Sequence, residues 1–243
     1  MSELFDALRT AIHHARLIAQ ATIIGGPGIG AKMLVWPNGD TLGTLGDAAL
    51  DEAVRTRTLA QLTTQQAARF PVVSKGTEVE LFVEVHAPPP KLIIVGAVHI
   101  AIALVTFGKA LGFHTIVLDA RSAFGTPDRF GHADQLIIQW PADALPQLEV
   151  DESTCIVVLT HDEKIDNPAL AYAVQSPARY IGALGSKKTH GRRVAALEEE
   201  GVTAEQIARI HAPIGLPIGA RRPEEIAVSI MAEIVAVVNG VRE

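Results

Sequence analysis

Short apolar runs, each followed by a glycine or a polar residue and then by a helical pattern, recur through the second half of the chain. Residues 92–95 are all apolar and rich in β-branched side chains, which predicts a strand buried on both faces of a parallel sheet. Gly96 ends this run, a helical pattern extends to Gly112, and a second strand at 115–118 ends at Asp119. Together these elements predict a βαβ unit of Rossmann type.

The same alternation of strand and helix patterns continues to the end of the chain. Apolar runs predict further strands at 135–139, 155–159 and 180–184. Residues 121–132 are predicted to form a polar loop. Helices are predicted at about 167–175, from Ser186 to about residue 200, and from Pro223, which suits the first position of a helix.

The first half of the chain has a different pattern. We predict an amphipathic helix at 2–20, a short strand at 21–24, a glycine-rich loop at 25–30, a hairpin turn at Asn38-Gly39 and a second helix from Asp47 towards Phe70. Polar and apolar residues then alternate over 78–85, which predicts a strand with one wet face.

Three consecutive prolines, at positions 88, 89 and 90, separate the two patterns. A proline triplet is stiff and extended and cannot lie inside a helix or a central strand. We therefore predict an α/β protein with an N-terminal α+β domain at 1–87, followed by a Rossmann-like parallel-sheet domain at 88–243.

Composition narrows the class of protein. The 243 residues are 48% apolar and carry a formal net charge of −6, which argues against a general nucleic-acid binder. The single cysteine, Cys155, lies in an apolar run and is predicted to be a buried strand residue without a disulfide partner. No apolar run approaches the roughly 20 residues of a membrane span, and we expect a cytoplasmic protein.

The turn after the first Rossmann strand departs from the dinucleotide fingerprint. Val98 replaces the second glycine of Gly-x-Gly-x-x-Gly, and its isopropyl group is expected to obstruct docking of a pyrophosphate. A Rossmann-shaped scaffold whose turn holds no dinucleotide is therefore one interpretation. Asp119 either accepts hydrogen bonds from a ribose or is a solvated acid at the strand end. His99 either reaches a cofactor or caps the helix.

Thr160-His161-Asp162 follows the predicted strand at 155–159, at the edge where open α/β sheets bind their ligands. His161 and Asp162 are candidates for an acid/base pair. Adjacent residues at a strand end usually point apart, so ligand contact by one of them is favoured. The sequence contains no zinc-ligand spacing, nucleophile elbow or Walker lysine, and we predict no catalytic residue and no metal site.

Several blocks of sequence carry a resemblance to a known family. They are Thr160-His161-Asp162, residues 180–186 (YIGALGS), 212–219 (APIGLPIG) and 223–234, together with 30–35 (GAKMLV) in the first half. These blocks resemble the XdhC/CoxI family, the accessory proteins of xanthine dehydrogenase and carbon monoxide dehydrogenase. The resemblance implies a homodimeric chaperone that binds the molybdenum cofactor (molybdopterin) and passes it to a molybdenum-containing hydroxylase, without turnover of its own.

Two pairs of cations lie at the starts of predicted helices, where they oppose the helix dipole. Lys187 and Lys188 follow Ser186, and Arg221 and Arg222 precede Pro223. Since the cofactor carries a phosphate, we predict that one or both pairs bind it; the alternative is a solvated cationic face balanced by glutamates. The predicted cofactor-binding residues are Gly30, Lys32, Gly96, Val98, His99, Asp119, His161, Asp162, Gly185, Ser186, Lys187 and Arg221.

The chain also departs from the family at the turn after the hairpin. It reads Gly46-Asp47-Ala48, whereas family members often carry two adjacent glycines and one branch carries a cysteine. The missing cysteine argues against covalent transport of sulfur. Two other functions remain open: an NAD(P)-dependent oxidoreductase with a degenerate Rossmann turn, and a scaffold that keeps a partner-binding surface but no ligand.

Overall fold

The chain divides into two compact units, with the division between Pro89 and Pro90. The structure is a computed structural model that describes residues 3–74 and 76–241. None of the helices in these described ranges has the length and apolar character needed to cross a membrane.

The first unit is a five-stranded antiparallel sheet with a helix on each face. The elements are α1 Glu3–His13, β1 Ile18–Gly25, β2 Lys32–Val35, β3 Thr41–Gly43, α2 Ala48–Thr64, β4 Ala68–Ser74 and β5 Thr77–His86. The strands lie in the order β3-β2-β1-β5-β4. Leu34 packs with α1 and its neighbours Met33 and Val35 pack with α2, as the alternation of side chains along a strand requires.

Two local predictions in this unit are confirmed. The side chain of Asp47 caps α2, because its Oδ1 accepts hydrogen bonds from the backbone N–H groups of Ala49 (3.0 Å) and Leu50 (3.1 Å). The Asn38-Gly39 turn joins β2 to β3, and Gly39 has the positive φ of 88° that such a turn requires.

Both helices of this unit end earlier than predicted. The prediction that α1 reaches residue 20 is wrong, because Ala15 adopts a left-handed conformation (φ 49°) and β1 begins at Ile18. The prediction that α2 continues towards Phe70 is also wrong, because Gln65 is left-handed (φ 54°) and Ala68–Ser74 pairs with β5 as an edge strand. Strand pairing outweighs local helix propensity in both places.

The second unit is a six-stranded parallel sheet with helices on both faces. Its elements are β6 Lys91–Val95, α3 His99–Ala110, β7 His114–Leu118, α4 Pro127–Phe130, β8 Gln135–Ile137, α5 Pro141–Ala144, a 3₁₀ turn at Leu145–Gln147, β9 Cys155–Val158, α6 Glu163–Gln175, β10 Tyr180–Ala183, α7 Lys187–Glu199, α8 Ala204–Ile207, β11 Ile210–His211 and α9 Pro223–Val238. The strands lie in the order β11-β10-β9-β6-β7-β8. This is the Rossmann order, and it confirms the predicted α/β class.

The central strands of this sheet are buried on both faces. Ile93 and Val95 of β6 pack in the cluster that contains α6, whereas Leu92 and Ile94 pack with α3 and α9. Cys155 is fully buried in β9, as predicted, and burial raises the pKa of its thiol to about 12. A thiol with that pKa is not a nucleophile at neutral pH.

Three details of the second unit differ from the prediction. Helix α6 begins at Glu163, four residues before the predicted start, because Asp162 caps it. The short strand β11 was not predicted, since a two-residue strand carries almost no pattern. The segment 121–132 is not a purely polar loop, because it contains α4 and the buried Phe130.

A buried carboxylate attaches α9 to the end of the sheet. Glu233 accepts hydrogen bonds from the Tyr180 hydroxyl and from the Gly215 N–H at 2.8 Å, and its Oε1 lies 3.5 Å from His211 Nδ1. Tyr180 and His211 stack with ring centroids 4.7 Å apart. Burial raises the pKa of Glu233, but its bonds from His211, Tyr180 and Gly215 outweigh burial and hold the pKa below its ordinary value.

This arrangement predicts a stability that depends on pH. A lowered folded-state pKa means that the stabilisation by Glu233 is present above the unfolded-state value of 4.5 and is lost as pH falls through the folded-state pKa. We expect Glu233→Gln to lower the free energy of unfolding by about 1–3 kcal/mol at pH 7 and by less at acidic pH. Urea unfolding of both proteins at pH 7 and at acidic pH measures how much the substitution lowers the free energy of unfolding at each pH. Glu224→Gln, on the exposed first turn of α9, is the control, and a difference that is independent of pH would contradict the assignment.

Candidate functional site

A cavity of about 680 Å³ lies at the carboxyl ends of β6 and β9, where the strand order of the sheet reverses. Open α/β sheets bind ligands at this switch point. Of the predicted site residues, the structure brings Val98, His161 and Asp162 to this cavity. Residues that the prediction missed contribute the rest of the lining: Arg121, Leu159, Thr160, Glu163, Lys164 and Arg192.

The turn after β6 uses its own backbone donors. The N–H groups of Gly96, Ala97 and Val98 donate to Leu118 O (2.8 Å), Asp119 Oδ2 (2.7 Å) and Gly96 O (2.9 Å). Val98 is half-buried and reaches the cavity. His99 is exposed at the first position of α3 and lies outside the cavity lining, and the capping position belongs to Val98.

Asp119 is fully buried, so its interpretation as a solvated strand-end acid is wrong. Its two oxygens accept hydrogen bonds from Ala97 N, Arg121 N (2.9 Å), Arg121 Nε (2.9 Å) and Arg121 Nη2 (2.8 Å). Burial raises the pKa of Asp119, and these bonds outweigh burial and hold the pKa below its ordinary value. In this arrangement the carboxylate is not accessible to a ribose.

His161 and Asp162 do not form an acid/base pair. Asp162 Oδ1 accepts the Lys164 N–H at 3.0 Å and caps α6, and the Asp162 N–H donates to Thr160 Oγ1 at 3.1 Å. His161 is exposed and lines the cavity, and no hydrogen bond joins these two described side chains. Ligand contact by His161 stays a prediction.

A buried ion pair lies beneath the cavity. Asp166 on α6 and Arg193 on α7 are 1% and 3% exposed, and Asp166 also accepts a hydrogen bond from the Thr160 hydroxyl. Arg193 donates from Nη1 to Leu184 O (2.7 Å) and from Nη2 to Thr160 O (3.3 Å), so it joins the ends of β9 and β10. Burial raises the pKa of Asp166, and Thr160 and Arg193 offset only part of that increase.

Gly185 lies against this ion pair, and Ser186 caps the helix that carries Arg193. Gly185 has φ +151°, and a Cβ there would lie 3.1 Å from Arg193 Nη1. Ser186 caps α7, because its Oγ accepts the Thr189 N–H at 3.2 Å. Lys187 and Lys188 are exposed in the first turn of α7 and lie outside the cavity lining. Phosphate binding by Lys187 and Lys188 stays a prediction.

At the start of α9 the chain supplies its own anion. Glu225 Oε2 accepts the N–H groups of Arg221 (2.9 Å) and Arg222 (3.1 Å), and these bonds lower the pKa of Glu225. Arg222 Nε also lies 3.7 Å from Glu224 Oε2. A carboxylate of the chain therefore already binds the backbone N–H groups at this helix start, and phosphate binding by the Arg221 side chain stays a prediction.

Gly30 and Lys32 belong to the first unit. The loop between β1 and β2 is closed by hydrogen bonds from Gly30 N to Ile23 O (2.8 Å) and from Ala31 N to Gly28 O (2.9 Å). Gly30 has φ +90° and a Cβ there would meet open space, and Lys32 is exposed. Their contact with a cofactor stays a prediction.

Gly96 lets the end of β6 lie close to Thr160, the residue that follows Leu159 after β9. Substitution of this glycine tests whether the close approach is required. With φ +111°, an alanine Cβ would lie 2.6 Å from Thr160 Cγ2. We expect Gly96→Ala to lower the unfolding free energy by about 1–3 kcal/mol more than Gly112→Ala. Gly112 has φ +83°, but a Cβ added there would meet open space. Its substitution therefore measures only the cost of placing alanine in a left-handed backbone conformation. Equal losses in urea unfolding would contradict the close approach.

The chain is similar to several known proteins. It is 30% identical over 221 residues to the uncharacterized protein YqeB of Escherichia coli K12 (86% of this chain, 40% of the relative). It is 34% identical over 155 residues to a probable xanthine dehydrogenase subunit of Bacillus subtilis 168 (64% and 45%). It is 32% identical over 120 residues to the molybdenum cofactor insertion chaperone PaoD of E. coli K12 (49% and 37%). The chain thus spans less than half the length of each of these relatives.

A solved structure, described as a xanthine dehydrogenase from Bacillus halodurans, has a similar fold. The TM-score is 0.57 at 21% identity, over 100% of this chain and 97% of the other. Residues 92–234 match the XdhC Rossmann domain, and residues 11–73 match the XdhC and CoxI family. These matches confirm the resemblance found in the sequence. The chain therefore belongs to the XdhC and CoxI family.

Proposed function

We propose that this chain binds the molybdenum cofactor in the switch-point cavity and passes it to a molybdenum-containing hydroxylase of the xanthine dehydrogenase or carbon monoxide dehydrogenase type. The observation that carries this proposal is that the residues lining the cavity lie within the match to the XdhC Rossmann domain. Similarity to a protein named a molybdenum cofactor insertion chaperone supports the same role. Binding and delivery, rather than turnover, is part of the proposal.

The volume and the lining of the cavity support binding of a phosphorylated pterin. Its volume of about 680 Å³ is in the range of small-molecule sites. Arg121, Lys164 and Arg192 contribute cations to the lining, and Asp162 and Glu163 contribute carboxylates. Asp162 is engaged in capping α6. Glu163 lies 3.8 Å from Arg192, and since both side chains are exposed, a ligand phosphate would compete with Glu163 for Arg192.

The chain's own residues would bind and orient the cofactor in this cavity. Arg121, Lys164 and Arg192 would bind its phosphate and other polar groups, while Val98 and Leu159 provide apolar surface for the pterin. When bound, the cofactor supplies the redox chemistry that the recipient enzyme uses. A homodimer in the cytoplasm is part of the same proposal, and light scattering of the purified protein tests the dimer.

Co-purification of the cofactor tests this function. Protein made in a molybdenum-sufficient host is expected to carry a small molecule with the absorbance and mass of the pterin. Lys164→Gln/Arg192→Gln is expected to reduce its amount several-fold, because two cations leave the cavity. Lys109→Gln is the control, since Lys109 pairs with Asp134 at 2.9 Å outside the lining. The proposal fails if the unmodified protein neither retains nor binds the pterin.

An NAD(P)-dependent oxidoreductase is the second candidate, because the fold is that of dinucleotide-binding domains. Two residues count against this candidate. The side chain of Val98 is expected to obstruct the pyrophosphate, and Arg121 covers the Asp119 carboxylate that would otherwise bind a ribose.

The two functions differ in their affinity for NAD⁺. We expect weak NAD⁺ binding by the unmodified chain and a small gain in Val98→Gly, because Asp119 stays covered. Val98→Gly/Arg121→Ser is expected to gain more, since it also exposes the carboxylate. Calorimetric titration with NAD⁺ and NADP⁺ measures these affinities. Tight binding by the unmodified chain would favour the oxidoreductase.

A further inference from the structure

Arg121 is held rigidly at the edge of the cavity. Its backbone N–H, Nε and Nη2 all donate to the Asp119 carboxylate at 2.8–2.9 Å. The guanidinium also lies over the ring of Phe124, 4.3 Å from the ring centroid. The side chain is 30% exposed and lines the cavity. A guanidinium fixed in this way loses little conformational entropy when it binds a ligand.

One nitrogen of this guanidinium is still available. Nε and Nη2 are used by Asp119, whereas Nη1 has no hydrogen-bond partner among the residues that the structure describes. Asp119 balances the charge of Arg121, so the group offers directed hydrogen-bond donors more than a free positive charge. Directed donors of an arginine suit the oxygens of a phosphate or carboxylate.

The turn beside Arg121 is poorly suited to a bridging pyrophosphate. In dinucleotide-binding domains the backbone of this turn approaches the pyrophosphate closely, which requires glycine. Here the N–H groups of Gly96, Ala97 and Val98 are bonded within the chain. The Val98 side chain also stands at the cavity. Next to this turn, Arg121 can still bind an anion through Nη1, because Asp119 uses its Nε and Nη2.

We propose that Arg121 is a specificity-determining residue that binds a terminal phosphate monoester of the ligand, and that Asp119 is the positioning residue that holds it. This inference rests on the proposed function and specifies the ligand class. It predicts a preference for the form of the cofactor that ends in a phosphate monoester. The dinucleotide form, in which each phosphorus of the pyrophosphate bears two ester or anhydride bonds, would bind more weakly.

Titration of the full chain with phenyl phosphate, a monoester, and methyl phenyl phosphate, a diester, tests the proposal. The unmodified protein is expected to prefer the monoester. Its affinity is expected to fall below about pH 6, where the monoester gains a proton. Arg121→Gln is expected to weaken monoester binding at least about tenfold and to reduce the pH dependence, of which Lys164 and Arg192 would retain part. Arg121→Lys keeps the charge but not the planar guanidinium. Its affinity for the monoester is expected to lie between those of the unmodified protein and Arg121→Gln.

Arg121→Gln leaves the Asp119 carboxylate buried without its partner, so a second variant controls for instability. Asp119→Asn/Arg121→Gln removes the guanidinium and the buried carboxylate together. It is expected to be more stable than Arg121→Gln but to bind phenyl phosphate equally weakly. Asp119→Asn alone is expected to weaken monoester binding several-fold at a temperature well below its melting point, because Arg121 becomes mobile. Lys109→Gln, which loses one charge elsewhere on this unit, is expected to bind phenyl phosphate as the unmodified protein does.

The outcomes separate this inference from the proposed function. Unchanged monoester affinity in Arg121→Gln, no preference over the diester, or equal weakening by Lys109→Gln would overturn the role of Arg121. Pterin that co-purifies equally with Arg121→Gln would also overturn it, while the proposed function would stand. A third outcome combines two results: Arg121→Gln loses phenyl phosphate binding, and the unmodified chain never retains pterin. It would uphold the phosphate site and reject the proposed function.

Discussion

The buried ion pair between Asp166 and Arg193 is the interaction on which the candidate site depends. It joins α6 to α7, and through Thr160 and Leu184 it fixes the ends of β9 and β10. Breaking such a pair by removing one partner typically costs about 3–5 kcal/mol, because the other charge stays buried. The same pair explains why the loop over it contains Gly185, since a Cβ there would crowd the guanidinium. The floor of the cavity is thus held by this ion pair together with the apolar cluster that the same two helices help to form.

Features set by neighbouring residues could be predicted from the sequence. The β6–α3–β7 unit, the Asn38-Gly39 hairpin and the Asp47 cap follow from periodicity and turn chemistry, which act over a few residues. Edge strand β4 could not be predicted, because the helical pattern before it predicts a helix that continues towards Phe70. Pairing with β5, a contact between distant parts of the sequence, makes these residues a strand. The location of the cavity followed from the order of strands and helices, since parallel strands place their carboxyl ends at one edge.

The side chains of the site were harder to predict than its location. Asp166 and Arg193 lie 27 positions apart in helical segments, where charged residues are usually exposed, and no local pattern marks them as buried. Arg121 belonged to a segment that was predicted to be a polar loop. Cations at a helix start indicate an anion but do not say whether it is a ligand or the chain's own carboxylate, and here the backbone N–H of Arg221 is bonded to Glu225. Such distinctions depend on tertiary contacts. Phosphate binding by the Arg221 side chain stays a prediction.

The burial of Cys155 has a consequence for sulfur chemistry. It is the only cysteine of the chain, and its thiol is fully enclosed in β9. Oxidants, alkylating reagents and partner disulfides react with exposed thiolates, and this chain presents none while β9 stays folded. Within these 243 residues a persulfide or a mixed disulfide would therefore form only if β9 opened. A cysteine introduced on the surface would be the single reactive thiol, which makes the protein suitable for labelling at one chosen position.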